Sequence, residues 1–189
     1  MIDHFGILSP IYDRLIRSSD PKRLLDLLEL PPDGKLLDAG GGTGRIGYLL
    51  RPYVSQVVIA DINFRMLKQA QNKADLYPVC TSSERLPFPG NSFDRVIMVD
   101  ALHHVHDTFL TTKELWRVTK PYGRIIIEEP DIRAFSVKLV ALFEKLALMR
   151  SHFSSPKKIT ELFSFTDEQP VIHENGYTVW VVINKSNSI

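Results

Sequence analysis

The sequence is short of most things that would reveal a protein's chemistry at a glance. It holds one cysteine, Cys80, so no internal disulfide can form and no cysteine-built metal site is available. Cys80 falls in the apolar-leaning stretch Tyr77-Pro78-Val79-Cys80, where a buried structural thiol is expected. Excess charge of one sign is also missing. Against 23 Lys and Arg stand 22 Asp and Glu, a net +1, and the longest cationic run is Lys157-Lys158, so nothing electrostatic selects nucleic acid as a partner. No apolar run approaches the roughly 20 residues needed to span a bilayer. Met1-Ile2-Asp3-His4-Phe5 carries no basic segment followed by an apolar one, so a cytoplasmic protein is expected. Internal repeats and low-complexity segments are absent as well. What remains, 44% hydrophobic and 24% charged, suits one globular domain over residues 1–189 with a core of its own.

The most informative stretch is Leu36-Leu37-Asp38-Ala39-Gly40-Gly41-Gly42-Thr43-Gly44-Arg45. A short apolar run reads as a buried strand ending in an acid. The glycines that follow form a turn whose backbone, free of Cβ atoms, can press against a ligand. Ile46, Tyr48, Leu49 and Leu50 then begin a helix. Strand, glycine turn and helix make a nucleotide-type site.

Around this unit the chain alternates. Residues 1–20 are a weakly patterned arm, and Asp20-Pro21 opens a helix through Leu24, Leu25, Leu27 and Leu28 that stops at Pro31-Pro32-Asp33-Gly34. A second strand ends at Asp61, Phe64 to Ala74 is helical, and Tyr77 to Thr81 is a third strand. Leu86 to Asn91 is a loop rich in turn formers. Phe93 to Val99 is a fourth strand and Asp107 to Val118 a helix, with Asp107 its N-cap. Pro121-Tyr122-Gly123 is a turn before a fifth strand, Arg124 to Glu128. An apolar helix over 134–150 and a short one capped by Ser155-Pro156 follow. The chain ends in two strands joined at Asn175-Gly176, a hairpin signal. Apolar strands between helices predict an α/β fold: a Rossmann-like, doubly wound, mostly parallel seven-stranded sheet with an antiparallel C-terminal hairpin.

In this order the segments resemble the class I S-adenosylmethionine-dependent methyltransferases, on the branch that includes the ubiquinone/menaquinone-biosynthesis enzymes. Four stretches carry the resemblance: Asp38 to Gly44, matching the acid-x-Gly-x-Gly-x-Gly turn; Asp61 closing the second strand; Glu84 to Asp94 followed by Leu102-His103-His104-Val105; and Lys120-Pro121-Tyr122-Gly123-Arg124. The resemblance implies S-adenosyl-L-methionine as cofactor. Gly40, Gly42 and Gly44 would lie along its amino acid tail, Asp38 would face the ammonium group, and Asp61 the ribose hydroxyls. Ile62 would pack on the adenine, a backbone N–H near Ser83 would meet its edge, and Leu86 would close the far side. Ser82 stands where the family often has Asp and offers a neutral acceptor. Asp100, directly after the fourth strand, joins this donor-binding set. Residues 131–163 would form a helical substrate cover, and the helix 134–150 is a candidate lid, core element, membrane-facing surface, or contact with a second copy or a partner subunit.

The residues leave other readings open. Gly42 to Gly47 also spells GxGxxG, with Asp61 where a dinucleotide ribose acid would stand, so an NAD(P)-dependent oxidoreductase is a rival. A catalytically inactive S-adenosylmethionine-binding interaction subunit is another. For a methyltransferase acting on a small acceptor, lipophilic acceptors included, His104 is the first candidate general base and His103 the second. Both can equally be pocket wall. His103-x-x-His106 lacks further ligands at metal spacing, so no metal is expected. Glu128 and Glu129 either border the acceptor pocket or pair with Arg124 or Arg133.

Overall fold

The computed structural model describes residues 21–133 and 152–187. Within them the strands are β1 (Lys35–Ala39), β2 (Gln56–Asp61), β3 (Leu76–Cys80), β4 (Phe93–Val99), β5 (Thr119–Pro130), β6 (Val171–Asn175) and β7 (Thr178–Asn184). The helices are α1 (Pro21–Leu28), α2 (Arg45–Leu50), α3 (Phe64–Gln71), α4 (Thr108–Val118) and α5 (Pro156–Glu161). The strands form one seven-stranded sheet in the order β3-β2-β1-β4-β5-β7-β6. Pairs among the first five strands are parallel, and β7 runs antiparallel to both β5 and β6.

Alternate strand residues face opposite sides, and each side has its own helices. Leu36, Ile59, Ile97, Ile126 and Trp180 meet α1, α2 and α3 through Leu24, Leu28, Ile46, Leu50 and Leu67. Leu37, Val58, Val96, Ile127 and Val181 meet α4 and α5 through Leu115, Val118 and Ile159. The sheet is thus covered on both faces, which is why its central strands read as unbroken apolar runs.

Most sequence boundaries stand within a residue or two. Helix α3 stops at Gln71, short of Ala74, and β3 covers 76–80 in place of 77–81. Asn63 and Asp107 cap α3 and α4 by accepting from their first-turn N–H groups, and Ser155 does the same for α5. Two readings change. Pro121-Tyr122-Gly123 is not a separating turn but an excursion inside β5: pairing passes from Phe93↔Thr119 to Arg95↔Arg124, with Tyr122 at φ 62°. The hairpin turns at Gly176-Tyr177 in place of Asn175-Gly176, because Asn175 pairs with Thr178 and Gly176 supplies the positive φ of 61°. Cys80 is also corrected. It is exposed, since β3 is an edge strand and Cys80 is its last residue. The arm 1–20 and the helix over 134–150 lie outside the described residues, and with them the proposed contact to a second copy.

Candidate active site

The carboxyl ends of β1, β2, β4 and β5 lie side by side, and β1 sits between β2 and β4 where the chain's winding reverses. Open α/β sheets place ligands at such a point. The turn after β1 runs along this edge with Gly40 at φ +72° and Gly42 at φ +53°. A Cβ on Gly40 would stand 2.6 Å from the Ala101 side chain, and one on Gly42 would stand 2.9 Å from Met66 Cε. Gly40 is therefore required for conformation and for space, whereas Gly42 is required for conformation, since the Met66 methyl can move aside.

The two strand-end acids hold this turn from opposite sides. Asp38 is 1% exposed, and its Oδ2 accepts from Gly47 N at 3.2 Å. Gly44, the residue before α2, offers no side-chain cap, so Asp38 satisfies a first-turn N–H that would otherwise lack a partner. Asp61 Oδ2 accepts from Gly42 N at 2.8 Å and its Oδ1 from Asn63 N at 2.7 Å. Lys73 Nζ adds a third tie by donating to Thr43 O at 2.7 Å. Burial pushes the Asp38 carboxyl up to about 7 and raises that of Asp61 as well.

Other expected donor-site residues lie around the same edge. Ile62, beyond Asp61, is 75% exposed. The Ser82 hydroxyl donates to Glu84 Oε2 and accepts from Glu84 N. Burial opposes ionisation of Glu84, but the Ser82 hydroxyl and the N–H groups of His106 and Asp107 outweigh it and hold the carboxyl below its usual range. Glu84 thereby ties the loop after β3 to the loop before α4. Ser83 is buried, and Leu86 is packed into the core on the α4 side. Asp100 adopts φ 51°, an uncommon conformation outside glycine. Burial, assisted by the Glu129 charge, pushes its carboxyl up to about 6.

The consecutive acids at the end of β5 serve opposite faces, and neither pairs with Arg124 or Arg133. Arg124 bonds Glu29 and Leu27 O, while Arg133 bonds Asp131 and Glu174. Glu128 faces the α2 side, where Trp180 Nε1 donates to its Oε2 at 2.8 Å. Burial and the nearby Asp100 push its carboxyl up to about 8. Glu129 faces the other side. Its Oε1 accepts from Ala101 N at 3.1 Å and Leu102 N at 2.8 Å, and its Oε2 lies 2.5 Å from His103 Nδ1. A carboxylate only accepts, so the proton in this contact sits on Nδ1. His103 is buried, stacks on Phe153 at 4.2 Å, and its carbonyl accepts from His152 N. His104 sits 4.0 Å from the His103 ring. Burial, then the His103 charge, push it down to about 3. Glu129 is a residue that sequence reasoning left undecided. Arg45, on the first turn of α2 and facing Asp38, Asp100 and Glu128, is one that it missed.

Among the described residues no helix is long and apolar enough to cross a membrane, and no cluster of His, Cys, Asp or Glu is placed to hold a metal ion.

Comparison with known proteins agrees with this geometry. Residues 37–127 match the family described as a methyltransferase domain. Over 173 residues the chain is 29% identical to the mitochondrial 2-methoxy-6-polyprenyl-1,4-benzoquinol methylase of Caenorhabditis elegans, covering 80% of this chain and 61% of that protein. Over 105 residues it is 33% identical to the ubiquinone/menaquinone biosynthesis C-methyltransferase UbiE of Coxiella burnetii, covering 50% of this chain and 42% of that protein. The chain thus spans about half the length of these relatives. In fold it resembles a SAM-dependent methyltransferase from Thermotoga maritima, with a TM-score of 0.80 at 20% identity over 96% of this chain and 98% of that one. A chain in the complex of the Haloferax volcanii Trm112 methyltransferase activator with a methyltransferase gives a TM-score of 0.82 at 16% identity, over 99% and 100%. Residues 37–127 thus match a methyltransferase domain, and the chain is similar to S-adenosylmethionine-dependent methyltransferases, with ubiquinone/menaquinone-biosynthesis enzymes among its relatives.

Proposed function

We propose that this protein transfers the methyl group of S-adenosyl-L-methionine to a small lipophilic acceptor. The observation that carries the reading is the bare glycine turn held between Asp38 and Asp61, each bonded to backbone within or just beyond the turn. Such a cradle fits the adenosyl amino acid: the ribose hydroxyls toward Asp61, the amino acid tail along Gly40 to Gly44, and the ammonium toward Asp38 and Asp100. The adenine lies between Ile62 and the loop of Ser82, Ser83 and Leu86.

The sulfonium is an activated leaving group, so transfer needs alignment and exclusion of water more than acid–base power. The names of the related proteins point to a polyprenyl benzoquinol as the class of acceptor. Methylation at a ring carbon of such a molecule begins with loss of a hydroxyl proton, which raises electron density on the ring. The ring carbon would then take the methyl group from the bound sulfonium, and the proton displaced from that carbon would pass to water. His103 is the group for the first proton, because Glu129 accepts from its Nδ1 and holds the ring in one orientation beside the ends of β4 and β5. His104, pushed down to about 3, is too weak a base near neutrality and is assigned to the pocket wall. Residues 131–163 supply the acceptor cover, with Phe153 against His103 as its described contact.

Calorimetry with S-adenosylhomocysteine and with NADH tests the donor half: heat is expected with the first alone, and binding of NADH alone overturns the reading. Transfer of a labelled methyl group to a short-chain benzoquinol tests the acceptor class.

A further inference from the structure

A guanidinium nitrogen buried without a hydrogen-bond partner is uncommon, since each buried donor left unmade costs stability. Arg45 Nη1 is such a group: it is buried and has no partner among the described residues. Its place in the fold is specific. Arg45 opens α2 directly after the glycine turn. On the sheet face it shares with Asp38 and Glu128, it lies close enough to act electrostatically on both and on Asp100. These acids sit at the ends of β1 and β5 and directly after β4. The guanidinium therefore stands at the β1–β4–β5 end of the site, away from Asp61 at the end of β2 and Ile62 just beyond it.

The acids do not complete the pairing. Glu128 is turned to Trp180, and Asp38 to Gly47 N. This end of the site accordingly holds one localised cation with an unmade N–H bond, close to three carboxyl groups. That is the complement of a zwitterion whose carboxylate and ammonium are two bonds apart.

We propose that Arg45 Nη1 binds the α-carboxylate of the donor's amino acid tail, so that the tail is read by a split pair, Arg45 for the carboxylate and the strand-end acids for the ammonium. This assignment rests on the proposed donor site and adds a residue to it. It also fixes the direction in which the donor lies: tail over β4 and β5, adenine over β2 and β3. A guanidinium bond to carboxylate is charge-assisted, and its loss is expected to weaken binding about tenfold to hundredfold.

The test uses two ligands that differ only in the carboxylate, S-adenosylmethionine and its decarboxylated form, titrated calorimetrically into the wild type, Arg45→Met and Arg45→Lys. The wild type is expected to prefer S-adenosylmethionine by about tenfold to hundredfold. Arg45→Met is expected to lose that preference entirely by weakening S-adenosylmethionine and leaving the decarboxylated ligand unchanged. Arg45→Lys keeps the charge without the planar fork and retains part of the preference. Should Arg45→Met fail to fold by thermal melting, the partial preference of Arg45→Lys decides. Equal weakening of both ligands makes Arg45 merely structural and overturns the assignment, as does a wild type that binds the two alike. A wild type that binds neither ligand overturns the donor site itself, a separate result.

Discussion

At the scale of single residues, the contact with the most consequences is Glu129 to His103. Glu129→Gln keeps an oxygen for the N–H groups of Ala101 and Leu102 but removes the charge facing His103. Methyl transfer is expected to fall about tenfold or more, within the range usual for general-base catalysis. The affinity for S-adenosylhomocysteine should change much less, because Glu129 lies on the far sheet face from Asp38 and acts on the donor site only through its charge near Asp100. Single-turnover transfer and calorimetry measure the two quantities separately. His104→Ala should transfer within about twofold of the wild type, since a group pushed down to about 3 takes no useful proton at pH 7. Asp38 and the glycines were legible in the sequence because their chemistry is local: acid, turn and helix follow one another without a gap. Glu129 and Arg45 were not. Glu129 finds its partner 26 residues away, and which of two adjacent glutamates faces the histidine depends on strand register, which a lone Glu-Glu pair does not reveal. Cys80 was misread for the same kind of reason, since nothing local marks β3 as the sheet's edge.

At the scale of elements, the glycine turn and the fastening of α1 separate function from stability. Gly40→Ala would force a φ of +72° on a residue with a side chain and bring its Cβ to 2.6 Å from Ala101. A cost of about 1–3 kcal/mol is expected from the conformation alone, together with loss of S-adenosylhomocysteine binding, checked by urea melts and calorimetry. Helix α1 behaves differently. Its last carbonyls are taken up by two arginines from the sheet, with Arg124 Nη1 donating to Leu27 O, Arg95 Nε to Leu28 O and Arg95 Nη2 to Glu29 O. These bonds replace a C-terminal cap. Arg95→Leu should therefore speed hydrogen exchange over 24–28 and cost about 1–3 kcal/mol, with ligand affinity unaltered. Strands and helices were legible because their apolar runs and caps are written in neighbouring residues. The excursion at 120–123 and the one-residue shift of the hairpin turn were not, because both are set by which residues pair across strands.

At the scale of the whole molecule, the strand ends gather acids whose ionisation the fold resists. Asp38, Asp100 and Glu128 are pushed up to about 7, 6 and 8 from ordinary values of 3.8, 3.8 and 4.5. A raised acid binds its proton more tightly when folded. Its stabilising contribution is complete below the unfolded value and is lost as pH rises through the folded one. The lowered carboxyls, Glu29, Glu84, Asp94, Glu114 and Asp131, work the other way, but their contribution is already in place above their unfolded values of 3.8 to 4.5. The depressed His104 and His173 add stability only up to about their unfolded value of 6.5. Between pH 7 and 8.5 the raised acids dominate, and the free protein should melt at progressively lower temperature. The slope is up to about 1.4 kcal/mol per pH unit for each group ionising. Glu128→Gln, which keeps an acceptor for Trp180, should flatten that slope, and an unchanged slope would contradict the assignment of Glu128. The sheet order and the two-sided covering were foreseeable from the alternation of strands and helices, whereas this store of protons required the fold to bring the strand ends together. It also has an optical side. The chain contains two tryptophans, and one of them donates its indole N–H straight to Glu128. In a Trp116→Phe background the emission of Trp180 becomes a built-in, label-free gauge of whether that carboxyl is charged, readable in a cuvette as pH is varied or as a ligand is added.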